Sequence, residues 1–206
     1  MAEPGGPPVL DDAASVAACR TVLSAAFAAE PATRWICGGS ATTVRERWFA
    51  TTLAAHATLP GGRRLSLAED GEPVAAAVLT PPGGTPSGPA RAAWAVRTAL
   101  GCGPAALTRT LRYLDAVESA APADAWTLEF LGVVPARRGR GAGSRLLARA
   151  LTGLPAPGGV FLTTADPANE PLYRRFGFLT LRSIPVGPLT TTAMWRPAGQ
   201  GDATVR

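Results

Sequence analysis

The stretch "FLGVVPARRGRGAGSRLLARAL", residues 130–151, holds the residue types best suited to bind an anion. An apolar run ends at Pro135, then Arg138-Gly139-Arg140-Gly141-Ala142-Gly143 follows, and Ser144 opens apolar residues at helical spacing. A helix that starts directly after a strand presents N–H groups with no partner inside the helix, and the helix dipole makes that end positive. Arg138 and Arg140 add guanidinium charge, and the interleaved glycines leave main chain open to close approach. That chemistry suits a phosphate or pyrophosphate. Two familiar phosphate loops fail. The P-loop needs a lysine, and the chain has none; the dinucleotide fingerprint counted from Gly139 needs a glycine where Ser144 stands.

The turn must be held by a strand before it and a helix after it. "DAWTLEFLGVVP" reads as a largely buried strand ending at Pro135, and "GSRLLARALTGLP" as a helix of about three turns. "GGVFLTT" reads as a strand, "PANEPLYRRFGF" as a short helix ending near Gly177, and two strands close the chain around 178–186 and 190–196. Upstream, acids at its start and a proline stop at Pro31 predict a helix over about 12–29. "SATTVRERWFATTLAAHATLPGG" predicts another, with a Ser/Thr cap region. Asp70-Gly71 between apolar runs signals a hairpin. "PPGGTPSGP" (81–89) reads as a connecting loop, and 90–119 as two helices broken at "GCGP". The alternation from Trp126 onward is an α/β pattern.

Arg138 to Gly143, preceded by Val133-Val134-Pro135, resembles the pyrophosphate loop of the GNAT superfamily of acyl-CoA-dependent N-acyltransferases. A second match lies downstream: in "TTADPANEPLYRRFGF", Asn169, Tyr173, Gly177 and Phe178 resemble that superfamily's Asn followed by Y-x-x-x-G-F. The two motifs together cover about 126–186. "AAFAAEPATRW", "AWTLEFLGVVP", "LYRRFGF" and the closing "MWRP" are also similar to puromycin N-acetyltransferase and its relatives, most diffusely over 81–120. The resemblance implies one N-acetyltransferase domain over 1–206; residues 1–8, rich in Pro and Gly, read as loose. It implies a mixed central sheet with splayed middle strands flanked by helices.

The implied reaction is acetyl transfer from acetyl-CoA, without a metal, to a primary amine of a small molecule, an antibiotic or its precursor being one acceptor class. A peptide N-acetyltransferase and a non-catalytic acyl-CoA sensor are the alternatives. By resemblance, main-chain groups of Leu131, Gly132, Val133 and Val134 position the pantothenate arm, and Asn169 anchors it unless it caps the following helix. The N–H groups of Arg138, Gly139, Arg140, Gly141, Ala142, Gly143 and Ser144 would hold the pyrophosphate, with the Arg138 and Arg140 side chains and the Ser144 hydroxyl. Arg137, Arg145 and Arg149 read as solvated helix charges, with a contact of one of them to the 3′-phosphate as the alternative. Tyr173 is the family's usual proton donor to the leaving thiolate. Glu129, a carboxylate in an otherwise apolar strand, is the candidate general base, since burial would raise its pKa; a Glu facing away and paired with Arg is the competing reading. His56, the only histidine, reads as a surface or packing residue. Phe27, Glu30, Trp35 and Trp48 are the candidate acceptor walls, with Glu30 able to attract a cationic amine.

Composition sets outer limits. All 20 basic residues are arginine, the formal charge is +5, and 47% of residues are hydrophobic, which reads as a globular chain with an anionic partner. Nucleic acid fits poorly, because the arginines are scattered and their densest group already has a use. No apolar run approaches the ~18 residues of a membrane span, and the first residues lack the layout of a signal peptide. Three cysteines without paired spacing suit a reducing cytoplasm. A monomer or homodimer is expected.

Overall fold

The computed structural model describes residues 8–39 and 41–199. Residues 1–7, and Ser40 of the expected cap region, lie outside the described part. A short edge strand β1 (Val9–Asp11) precedes helix α1 (Val16–Ala26), α2 (Pro31–Cys37) and α3 (Thr42–His56). Strands β2 (Arg63–Glu69) and β3 (Glu72–Thr80) lead to helices α4 (Gly88–Cys102) and α5 (Pro104–Glu118). Then come β4 (Trp126–Val133), α6 (Ala142–Leu151), β5 (Val160–Thr164), α7 (Glu170–Arg175), β6 (Leu179–Val186) and β7 (Leu189–Arg196).

The expected 12–29 helix is shorter than its periodicity suggested. Asp11 ends β1, and Ser15 caps α1 by accepting the Ala18 N–H at 3.1 Å. Cys19, Val22, Leu23 and Ala26 make its buried stripe. Pro31 does not only stop that segment; it starts α2, where its missing N–H costs nothing. The Glu30 carboxylate caps α2, accepting from the N–H groups of Ala32 (3.1 Å) and Thr33 (2.6 Å). The Asp70-Gly71 hairpin forms as expected, with both residues at positive φ, 55° and 78°, the geometry of a type I′ turn.

The strands form one mixed sheet in the order β1-β2-β3-β4-β5-β7-β6. β3 is buried from Val74 to Thr80 and pairs antiparallel with β4 from Ala75↔Val133 to Thr80↔Thr127. One face packs under α6, where Leu146, Leu147 and Ala150 meet β2, β3 and β4 together with Tyr173 and Phe178. The opposite face packs under α1 and α3 through Leu23, Phe49 and Leu53. A third cluster joins Val117 of α5 to Phe161 and Ala193. Among the described residues no helix is long and apolar enough to cross a membrane.

The feature that positions the site is the middle of this sheet. β4 and β5 are parallel and pair only at Trp126↔Val160, Thr127↔Phe161 and Leu128↔Leu162. Beyond Leu128 the two strands part, while β4 stays paired to β3 and β5 to β7. The sheet therefore opens into a wedge along the second half of β4.

Candidate active site

At the end of β4 the chain makes a short 3-10 turn (Pro135–Arg137) and enters α6 through Gly141, which caps the helix at φ 80°. A side chain with a Cβ pays roughly 1–2 kcal/mol in that left-handed conformation. No described acceptor takes the backbone N–H of Gly139, Arg140, Gly141, Ala142, Gly143 or Ser144. A Cβ added at Gly139 or Gly141 would meet nothing within 4 Å, whereas one at Gly143 would come within 3.3 Å of Val133. The turn is thus an outward cradle of free donors, pinned to the sheet at Gly143.

The arginines divide their work. Arg140 is exposed and has no partner among the described residues. Arg138 braces the scaffold: Nε donates to the Val133 carbonyl at 3.3 Å and Nη2 to the Ala26 carbonyl at the end of α1. Its side chain is thereby partly spent inside the protein. Arg137, Arg145 and Arg149 are not simply solvated. Arg137 pairs with Glu69 and Asp70, Arg145 with Glu69 at 2.8 Å, and Arg149 with Asp12, tying the turn and α6 to the β2–β3 hairpin and to the start of the chain.

In the wedge, main chain is again the useful surface. The Val134 N–H donates to Val74 on β3 at 2.9 Å. Strand alternation then turns the N–H and C=O of Leu131 and Val133 away from β3, into the wedge. Gly132 lets α1 lie directly on β4, since a Cβ there would sit 2.8 Å from the Ala26 Cβ. The β3–β4 register shifts where Val78 pairs with Phe130 and Leu79 with Leu128. Glu129 is the extra residue of that bulge, and bulges re-aim side chains. Glu129 lines a cleft of about 500 Å³, just past Leu128, where β4 and β5 begin to part. Water reaches the side chain through the cleft, but protein surrounds it. Desolvation raises its pKa above the ordinary carboxylate value, a Thr80 hydrogen bond opposes this, and the nearby Glu118 charge adds to it. The competing reading of Glu129 as an acid paired with Arg is not supported, because among the described residues no guanidinium is bonded to it.

Tyr173 and Asn169 come from the segment after β5 and line the same cleft. Tyr173 is 8% exposed and packs edge-on against Phe178. Its hydroxyl has no hydrogen bond to the described residues. Burial, aided by the Glu30 charge, pushes its pKa well up, so the phenol keeps its proton. Asn169 stands at the start of α7 but does not cap it; its Nδ2 lies 3.5 Å from Thr164 Oγ1. Asp166 makes the local cap, through the Ala168 N–H.

Phe27, Glu30 and Trp48 line the cleft as expected, but Trp35 does not: it packs over Gly187, outside the cleft. Phe27, Trp48, Phe49 and Phe130 form an edge-to-face cluster with centroids 5.0–6.0 Å apart, a stiff wall beneath Glu129. His56 is buried, not a surface residue. Nε2 meets the Leu79 carbonyl at 3.0 Å, and desolvation lowers its pKa, so it is neutral and its N–H is occupied. Reading from sequence missed α4 and α5 as walls, although Trp94, Tyr113 and Glu118 line the cleft. The available signal was the amphipathic pattern of "LTRTLRYLDAVE", with Leu111, Leu114, Asp115 and Glu118 on one helical face.

A family model described as acetyltransferase (GNAT) family matches residues 30–178. No curated protein matches the chain. Among solved structures, the chain is similar to a protein from Corynebacterium glutamicum described as histone acetyltransferase HPA2 and related acetyltransferase. The identity is 22%, 96% of this chain and 99% of that one are covered, and the TM-score is 0.67. The Drosophila melanogaster polyamine N-acetyltransferase is similar at 17% identity, with 92% and 98% covered and a TM-score of 0.55. The Escherichia coli ribosomal-protein-S18-alanine N-acetyltransferase follows at 14% identity, with 97% and 99% covered and a TM-score of 0.56.

Proposed function

Because the chain belongs to the acetyltransferase (GNAT) family, we propose that it transfers the acetyl group of acetyl-CoA to a primary amine on a small molecule by direct attack on the thioester. The observation that carries this reading is one line of features. A cradle of unbonded N–H groups at 139–144 stands past the C-terminal end of β4, where the wedge is open, the wedge beside Leu131 and Val133 leads inward from it, and Glu129, just past the last β4–β5 pair, shares a cleft with Tyr173. The cradle suits a pyrophosphate, and the wedge suits an extended polar arm that hydrogen-bonds to β4 as an added strand. Bound there, acetyl-CoA supplies the activated acyl group.

The roles of the chain's own residues follow. Glu129 takes the proton that an incoming ammonium must lose before its nitrogen can attack. The Leu131 N–H, aimed into the wedge, donates to a carbonyl oxygen as negative charge grows on it, an effect worth about 3 kcal/mol in comparable sites. Tyr173, held protonated by its burial, gives its proton to the leaving sulfur. Asn169, freed from capping, anchors the arm. The similarity to puromycin N-acetyltransferase and its relatives supports a small acceptor, antibiotic-like molecules included, and the free cysteines 19, 37 and 102 suit action in the cytoplasm.

The test is CoA release from acetyl-CoA across amino-nucleosides, aminoglycosides, arylalkylamines, polyamines and short peptides, with acetylated product identified by mass. Turnover of a small amine supports the reading, and turnover of peptides alone moves the acceptor to proteins. Silence throughout, with acetyl-CoA still raising the melting temperature by roughly 5 °C at saturating excess, leaves a sensor.

A further inference from the structure

Leu111, Leu114, Asp115 and Glu118 of α5 all line the cleft, at the i, i+3, i+4, i+7 spacing of a single helical face. The face runs about 10 Å along the helix. It is apolar at one end and acidic at the other. Asp115 and Glu118 occupy the last turn of α5, where the helix dipole is already negative and favours cations. Three residues apart, they also repel one another. Neither has an ion-pair partner among the described residues. Across the cleft lining, four carboxylates (Glu30, Asp115, Glu118 and Glu129) face one guanidinium, Arg91. Glu30 is committed to capping α2, which leaves the three carboxylates of Asp115, Glu118 and Glu129 against that single guanidinium.

A second observation points to a ligand at this wall. Trp94 of α4 lines the cleft and is 8% exposed, yet its indole N–H has no acceptor among the described residues. It is also not sealed from solvent like the Ser24, Thr52 and Thr191 hydroxyls. Buried indoles normally find a partner, and a molecule bound in the cleft can supply one here in place of solvent. Trp94 also offers an aromatic face for an apolar or cationic group.

We propose that this face of α5 is the acceptor subsite. Glu118 receives the ammonium of an amphipathic primary amine whose apolar body lies along Leu111, Leu114 and Trp94. This rests on the acyl-transfer reading above, and it names the acceptor class that reading left open. Glu118 lies within electrostatic reach of Glu129, so an ammonium held by Glu118 sits beside the group proposed to deprotonate it. Glu118 is a specificity and positioning residue, not the base.

The test uses 2-phenylethylamine as probe, with 1,4-diaminobutane as the non-amphipathic comparison. Calorimetry on the CoA-loaded protein reads amine affinity without requiring turnover. Glu118→Gln is expected to weaken 2-phenylethylamine binding at least about tenfold, as loss of a charged hydrogen bond does, and Glu118→Asp to restore most of it. In turnover, KM for the amine rises by a similar factor, and the acidic limb of kcat/KM moves to lower pH. The sign follows because removing a neighbouring negative charge favours ionised Glu129. The other charged or titratable groups facing Glu129 (Glu30, His56, Arg91, Tyr113, Asp115 and Tyr173) are unchanged in that variant. Equal affinity in wild type and Glu118→Gln, tighter binding of the diamine, or no measurable binding of 2-phenylethylamine to the wild type overturns the inference. Loss of CoA release with the binding difference intact overturns the acyl-transfer reading instead.

Discussion

The two ends of the site recognise their ligands by different means. At the turn the useful groups are the backbone N–H donors of 139–144, contiguous in sequence and displayed by one strand–helix junction, the Arg138 N–H being spent on the Pro135 carbonyl. At the α4–α5 end they are side chains: Trp94, Leu111, Leu114 and Glu118, brought to Glu129 and Tyr173 from separate elements. A main-chain site tolerates changes of side-chain chemistry but not of backbone conformation. A side-chain site behaves the opposite way, and it is where relatives of one fold can diverge in acceptor while sharing a co-substrate.

The largest expected effect comes from breaking the backbone end. Gly141→Val places a β-branched residue at φ 80° and fills the open cradle. Acetyl-CoA affinity should fall more than about 100-fold, beyond the roughly 1–2 kcal/mol of conformational cost, measured as loss of the thermal shift given by acetyl-CoA. Gly141→Asn, which accepts left-handed backbone better, should recover part of it. Retained affinity in both variants would mean that the turn holds something else.

Next in size is Tyr173→Phe, expected to lower kcat about 100-fold while acetyl-CoA affinity stays within about twofold, since the ring packing on Phe178 is kept. An unchanged kcat removes Tyr173 from the chemistry. Glu129→Gln should cost kcat about 10-fold or more and flatten the acidic limb of the pH profile. Glu129 must be ionised to act, and its pKa lies above the ordinary carboxylate value. Wild-type activity should therefore climb with pH through that raised pKa, and a wild-type profile in the variant sinks the assignment. The smallest effect belongs to Asn169→Ala. One neutral hydrogen bond is worth about 1 kcal/mol, so KM for acetyl-CoA should rise several-fold with kcat nearly unchanged.

How far the molecule was legible in its sequence follows the same division. The strand, turn and helix around Arg138-Gly143 are encoded within one short run of residues. The free donors and the glycine cap could be read directly. So could the Asp70-Gly71 hairpin, because two adjacent residues specify it. Strand β1 was missed because three exposed residues carry no periodicity. Helix α2 was missed because Pro31 was read only as a stop, although Glu30 before it is a competent cap. Arg138 looked like a phosphate ligand, but its bond to Ala26 spans 112 positions and has no local signature. The pairing of Arg145 and Arg149 with Glu69 and Asp12 was hidden for the same reason. The acceptor wall was the least legible part. Its α5 stripe is visible in the sequence, but only the packing of α5 beside β5 shows that the stripe faces Glu129 and not solvent.

The measurement that tests the account most directly is amide hydrogen exchange on the protein alone, with CoA, and with CoA plus 2-phenylethylamine. The N–H groups of residues 139–144 have no intramolecular acceptor, so they should exchange freely in the unliganded protein. CoA should protect them, together with Leu131 and Val133. Protection of the α5 face should appear only when the amine is added. A turn that gains no protection from CoA, while another segment does, would contradict the assignment of residues 138–144 as the co-substrate cradle.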